Sequence, residues 1–181
     1  SGHLNPAVTI ALTATGAFKT SLIASYLLAQ LAGAFTGAVL VWLAYNKHFE
    51  ASSDADLKKA IFCTAPAIRS PLHNLITEFI GTFVLMFGAL AFTPATTSLG
   101  TLDALPVTLL VLGIGLSLGG PTGYAINPAR DLGPRIAHFI LPIKDKRDSD
   151  WEYSWIPVVA PIVGGLAAAW AYMQCINFWV K

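Results

Sequence analysis

The chain has 181 residues, 55% of them hydrophobic and 12% charged, with a formal net charge of +1 and a mean hydropathy of +0.62. A soluble domain carries about 25% charged residues, and half that share leaves too little polar surface to face water. Nothing in the near-zero charge balance points to nucleic acid or an acidic substrate, and the lipid bilayer is the natural solvent and partner for this chain.

The first element is signalled by SGHLNPAVTIA. Asn is a favoured helix N-cap because its side-chain oxygen accepts from an orphan backbone N–H. Pro suits the first helical position because it has no N–H to lose. Asn5-Pro6-Ala7 therefore predicts a helix start, followed by a short apolar run from Ala7 to about Ala17. A spanning helix needs roughly 20 predominantly apolar residues. Ser21 to Asn46 meets that requirement, with Gln30 expected to bond between helices. Lys47 to His73 is long, polar and mixed in charge, and reads as a solvated loop. Asn74 to Thr93 is the second span and carries Glu78 near its start. Pro94 to Asp103 connects it to a shorter third span, Ala104 to Leu118. GYAINPARDLGPR then brings a second Asn-Pro-Ala and a run from Ala129 to about Ile140. Pro121 and Gly123 ahead of it forbid a continuous helix through the motif. After the charged loop Leu141 to Ser154 comes the last span, Trp155 to Trp179. Trp151, Tyr153 and Trp155 at its start and Trp179 at its end match the aromatic belt of a membrane interface.

Small residues recur at Gly33 and Gly37, Gly113 and Gly115, and Gly164 and Gly165, a signal for close helix packing in lipid. Cys63 and Cys175 make neither a disulfide framework nor a metal-ligand spacing. His3, His48, His73 and His138 sit in separate segments, and no phosphate loop or nucleophile triad is present, so neither an enzyme, a metal site nor a cofactor is expected.

Two copies of a Gly-bearing stretch ending in Asn-Pro-Ala, about 120 residues apart, point to two halves built alike. Residues 1–70 hold a half helix, a spanning helix and the long loop. Residues 71–181 hold two spanning helices, a half helix and the last spanning helix. The run after each motif is about half a membrane crossing, so each reads as a re-entrant segment: extended backbone to mid-membrane, then a half helix back out. Non-helical backbone at that depth is tolerated only where protein buries it or it lines a watery cavity. Two helix N-termini would meet there, each carrying roughly half a positive charge. A lane of free carbonyls with a positive maximum at its centre passes neutral hydrogen-bonding solutes and rejects cations and protons.

The stretches SGHLNPAVTIA, AQLAGAFTGA, TEFIGTF and GYAINPARDLGPR resemble the aquaporin, or major intrinsic protein, superfamily, and within it the glycerol-facilitator branch. The resemblance runs from end to end. It implies an all-α integral membrane protein, an inverted-repeat bundle with four spanning helices and two re-entrant half helices here. The family has six spanning helices, so the resemblance implies that the two preceding the first Asn-Pro-Ala are absent from this sequence. Asn5 and Asn127 would face each other at the pore centre, with Pro6, Ala7, Pro128 and Ala129 in the contact between half helices. Arg130, Tyr124 and Gly115 would form the selectivity filter, where Gly115 leaves space for a carbon-bearing solute. The carbonyls of Gly2, His3, Leu4, Gly123, Tyr124 and Ala125 would form acceptor rows. Glu78 would accept backbone N–H groups from the re-entrant loop, and Asp131 would support its half helix. The implied partners are glycerol and similar small polyols, water and other copies in a homotetramer, in the plasma (cytoplasmic) membrane.

This sequence departs from the family pattern in two places. Tyr124 stands where the glycerol branch commonly has Phe, and SGHLNPA is one residue shorter than the usual first motif. The leading expectation is a passive channel for glycerol, small neutral solutes and water that excludes ions. The alternatives are an ion-coupled secondary transporter of a polyol, since broken helices meeting at the midplane also mark transporters, and a non-conducting fragment of the channel.

Overall fold

The computed structural model describes residues 2–92 and 100–179. Its helices in chain order are α1 (Pro6–Ala14), α2 (Ile23–Ala44), α3 (Asn46–Ala51), α4 (Ala55–Ala60), α5 (Pro71–Ala91), α6 (Leu105–Thr122), α7 (Pro128–Ile140) and α8 (Ile156–Trp179). Among the described residues there is no strand. Among the described residues four helices are long and apolar enough to cross a membrane: Thr20–Ala44, Pro71–Ala91, Leu105–Thr122 and Ile156–Cys175. The fold is an all-helical integral membrane bundle.

Both Asn-Pro-Ala copies start helices. Asn5 Oδ1 accepts from Ala7 N at 2.9 Å, and Asn127 Oδ1 accepts from Ala129 N at 3.0 Å and Arg130 N at 3.2 Å. Pro occupies the first helical turn in both. α1 has 9 residues and α7 has 13. At 1.5 Å per residue they reach roughly 14 and 20 Å, well short of a hydrocarbon core about 30 Å thick.

Three features differ from expectation. The third span runs on to Thr122, with Pro121 inside its last turn. Proline at that point gives up its own N–H bond and the turn still closes. The break is made by Gly123, whose left-handed φ of 73° ends the helix. The long connection 47–73 is a folded cover rather than a solvated loop. Phe49, Phe62 and Cys63 from it form a buried cluster with Ala38, Ala137, Leu141 and Ile143. Lys58 is also buried, its ammonium donating to Lys144 O at 2.7 Å. The aromatic belt is also split. Trp151 and Trp155 are exposed, whereas Tyr153 is 2% exposed, its ring lying under the Arg69 guanidinium. Residues 93–99, at the end of the second span and the start of the Pro94 to Asp103 connection, and the Trp179 side chain lie outside the described residues.

α8 packs along α5 and α1, α7 packs against α2, and α6 leans on α5. The closest approaches to a neighbouring helix backbone are at two glycines. A Cβ on Gly164 would lie 2.5 Å from Phe79 O, and one on Gly133 would lie 2.9 Å from Phe35 N. Gly33, Gly37 and Gly113, by contrast, would meet nothing within 4 Å. Gly164→Ala is therefore expected to force α5 and α8 apart at a cost of about 1–3 kcal/mol. A lower thermal unfolding midpoint in detergent, with Gly37→Ala unchanged, is the measurement that checks it.

Candidate functional site

The two half-helix starts meet, and they exchange hydrogen bonds. Asn5 Nδ2 donates to Ile126 O at 2.8 Å, and Asn127 Nδ2 donates to Leu4 O at 2.8 Å. Each asparagine thus donates to the carbonyl just ahead of the other. The backbone is matched as well. Asn5 has φ −155° and ψ 119°, and Asn127 has φ −156° and ψ 110°. The residue before each is left-handed, Leu4 at φ 55° and Ile126 at φ 44°. For a β-branched residue such as Ile126 this conformation costs of order 1–3 kcal/mol and persists only where its surroundings over-determine it. Each carboxamide commits its oxygen to its own helix and one N–H to the opposite motif. An amide carries two N–H donors, so one remains on each. Pro6, Ala7, Pro128 and Ala129 are buried around this centre.

Behind the first motif, Thr9 is the hub. Its Oγ1 donates to Asn5 O at 3.2 Å, accepts from Gln30 Nε2 at 3.0 Å and lies 3.1 Å from His3 Nδ1. The His3 ring packs between Phe18 and Tyr26. Gln30 therefore ties α2 to α1. Behind the second motif, Glu78 on α5 accepts from Ala125 N at 2.9 Å and Ile126 N at 2.7 Å, one carboxylate oxygen each. Burial and these two donors fix the carboxylate against the irregular backbone.

Gly115, Tyr124 and Arg130 are brought together, with one change to the expected geometry. The space at Gly115 is occupied by Tyr124. A Cβ on Gly115 would lie 3.3 Å from Tyr124 Cζ, and one on Gly119 would lie 3.1 Å from Tyr124 Cδ1. Gly115 is thus where the Tyr124 ring packs against the bare backbone of α6. Arg130 Cζ sits 5.9 Å from the Tyr124 ring centroid, and its side chain pairs with no carboxylate among the described residues. The expected acceptor groups are unequal. Leu4 and Tyr124 are open, Gly2 is open, His3 and Gly123 are half-buried, and Ala125 at 1% exposure offers its carbonyl little surface. The carbonyl of Ile126, which the motif reading omits, is the one that receives Asn5.

Sequence reasoning also misses Arg135, the centre of the buried polar network. It is fully buried and all five of its N–H donors are used. Nε donates to Asp131 Oδ2 at 2.8 Å, and Nη2 donates to Asp131 Oδ1 at 2.7 Å and Thr64 O at 2.8 Å. Nη1 donates to Ser149 O at 2.6 Å and Asp150 O at 3.0 Å. Asp131 Oδ1 also accepts from Thr64 N at 2.9 Å and Thr64 Oγ1 at 2.5 Å. A signal was available in the i, i+4 spacing of Asp131 and Arg135 on one helix face. Outside the spanning helices, burial pushes the Cys63 thiol up to about 11, against a smaller pull from Arg135. Burial, then the charges of Glu78 and Asp131, push the Tyr153 phenol up.

What the arrangement offers is two half-helix N-termini, each near half a positive charge, meeting where Asn5 and Asn127 exchange bonds, with Arg130 three residues after Asn127 on the second half helix.

Comparison with known proteins agrees with this geometry. The chain is 55% identical over 170 residues to a probable glycerol uptake facilitator protein of Thermotoga maritima, covering 94% of this chain and 72% of the relative. It is 52% identical over 167 residues to glycerol uptake facilitator protein 3 of Lactiplantibacillus plantarum, covering 92% and 69%. The crystal structure of the aquaglyceroporin from Plasmodium falciparum superposes with a TM-score of 0.85 at 33% identity, covering 98% of this chain and 74% of that one. The family model described as Major intrinsic protein matches residues 1–172, and with half helices, paired motifs and relatives in agreement, the chain belongs to the major intrinsic protein family.

Proposed function

We propose that the chain forms a passive channel for glycerol and similar small neutral solutes, with water, across a plasma membrane, and that it excludes ions and protons. The observation that carries this is the reciprocal bonding of Asn5 and Asn127 where two half-helix N-termini meet. The two remaining amide N–H groups can donate to successive hydroxyls of a polyol. The N-terminal charges and Arg130 oppose cations. Residues 1–70 and 71–181 are the two like halves that bring these termini together. A homotetramer, which the resemblance implies, belongs to the same proposal.

An ion-coupled transporter needs a carboxylate free to bind the coupling ion. Glu78 has both oxygens on backbone N–H groups. Asp131 has both on Arg135 and Thr64. Neither is open to a cation, which favours uncoupled passage. Swelling of liposomes holding the protein is the test. Flux linear in glycerol and indifferent to ion gradients is expected; saturation with ion dependence overturns the reading. In the same vesicles, Arg130→Val removes charge-assisted hydrogen bonds worth about 1.5–3 kcal/mol. Discrimination against charged and larger solutes is expected to fall about tenfold or more, while glycerol flux changes less. Unchanged selectivity contradicts the filter role.

A further inference from the structure

After the buried Phe62 the long connection runs back over the second motif. Four attachments hold it there. Thr64 binds Asp131 through both its N–H and its hydroxyl. Thr64 O receives Arg135. Ala67 N donates to Pro121 O at 3.0 Å, a carbonyl of the last turn of α6. Arg69 pairs with Asp150, whose own carbonyl receives Arg135. A Cβ on Gly123 would lie 3.6 Å from Thr64 Cβ and 3.9 Å from Ala65 O, so the segment also forms the wall behind the left-handed corner at Gly123.

These attachments fall close to Tyr124 and Arg130 in the chain: Asp131 follows Arg130, Pro121 lies three residues before Tyr124, and the wall at Gly123 directly precedes it. The Tyr124 ring rests on the bare backbone of α6 at Gly115 and Gly119 and against Arg130. The backbone that carries both side chains is held from one side by Glu78, at Ala125 and Ile126, and from the other by the connection. The left-handed Tyr124, at φ 38°, needs such restraint.

We infer that residues 64–69 act as a strap, with Thr64 as a positioning residue, that fixes the Tyr124–Arg130 spacing and through it the discrimination between polyols of different girth. This rests on the channel reading for its flux consequence and on geometry alone for the restraint. Losing one buried hydroxyl bond shifts an equilibrium by about threefold to tenfold, and a shift of that size is expected in the ratio of glycerol to five-carbon polyol permeability.

The test uses the whole chain in liposomes and in detergent. Thr64→Val keeps the side-chain volume and the backbone N–H bond but removes the hydroxyl; Thr64→Ser restores it. Arg69→Leu frees the far end of the strap independently. Thr64→Val and Arg69→Leu are expected to lower the glycerol preference and to speed backbone amide exchange across residues 123–130. Thr64→Ser is expected to behave as the parent. Arg147→Ala, which breaks only an exposed pair with Asp56, leaves both readouts unchanged. A purely structural role would lower all fluxes together with folded protein and leave the ratio alone. Unchanged ratio and unchanged exchange in the folded variants overturn the strap. If the parent passes no glycerol, the channel reading fails, and the exchange rates still decide whether the strap restrains the turn.

Discussion

Replacing Arg135 with methionine is expected to destabilise the protein by about 3–5 kcal/mol. The change leaves the Asp131 carboxylate buried without its counter-charge, and it leaves the carbonyls of Thr64, Ser149 and Asp150 without their donor. An uncompensated buried charge is the larger penalty, since removing one partner of a buried pair costs more than removing both. The double variant Arg135→Met with Asp131→Asn is therefore expected to regain part of the loss. Arg135→Lys keeps the charge but supplies three donors in place of a planar fork, and falls between the two. Thermal unfolding in detergent, read for all three variants, checks the order. A double variant no more stable than Arg135→Met alone contradicts the charge argument.

The second large effect is at Glu78. Its two oxygens hold consecutive N–H groups, those of Ala125 and Ile126, in a segment with left-handed residues on both sides of Ala125. Leucine at this position leaves both buried donors unpaired, at about 1–3 kcal/mol each. The re-entrant turn then has little to hold Ile126 where Asn5 donates to it. Glu78→Leu is expected to abolish glycerol-driven swelling. Glu78→Gln retains one acceptor oxygen and is expected to keep a reduced flux, down by about tenfold on the loss of one charge-assisted bond. Stopped-flow swelling normalised to folded protein in the membrane separates the two. Equal flux in Glu78→Leu and the parent would remove Glu78 from the support of the turn.

The architecture is legible in the sequence because its signals are local. Apolar length predicts the four spans, and Asn followed by Pro predicts a capped start at Pro6 and Pro128. Glu78 is legible through resemblance, and its two bonds are what such a carboxylate can make. Other features depend on neighbours remote in sequence. Arg135 looks like one more charge in a half helix until residues 64 and 149–150 are folded over it. The charged stretch 47–73 looks solvated because Phe49, Phe62 and Cys63 are spread among polar neighbours; what buries them is α2 and α7. The packing of the Tyr124 ring on Gly115 is another such contact, since a sequence shows the missing side chain and not the ring beside it.

The exchange between Asn5 and Asn127 bears on how the molecule is assembled. Neither hairpin contains the acceptor for its own free amide; each finds it on the other. During synthesis the first motif must wait, its amide unmatched, until the second is made. The centre of the molecule hence takes its bonded form only once both motifs are present, jointly rather than one at a time.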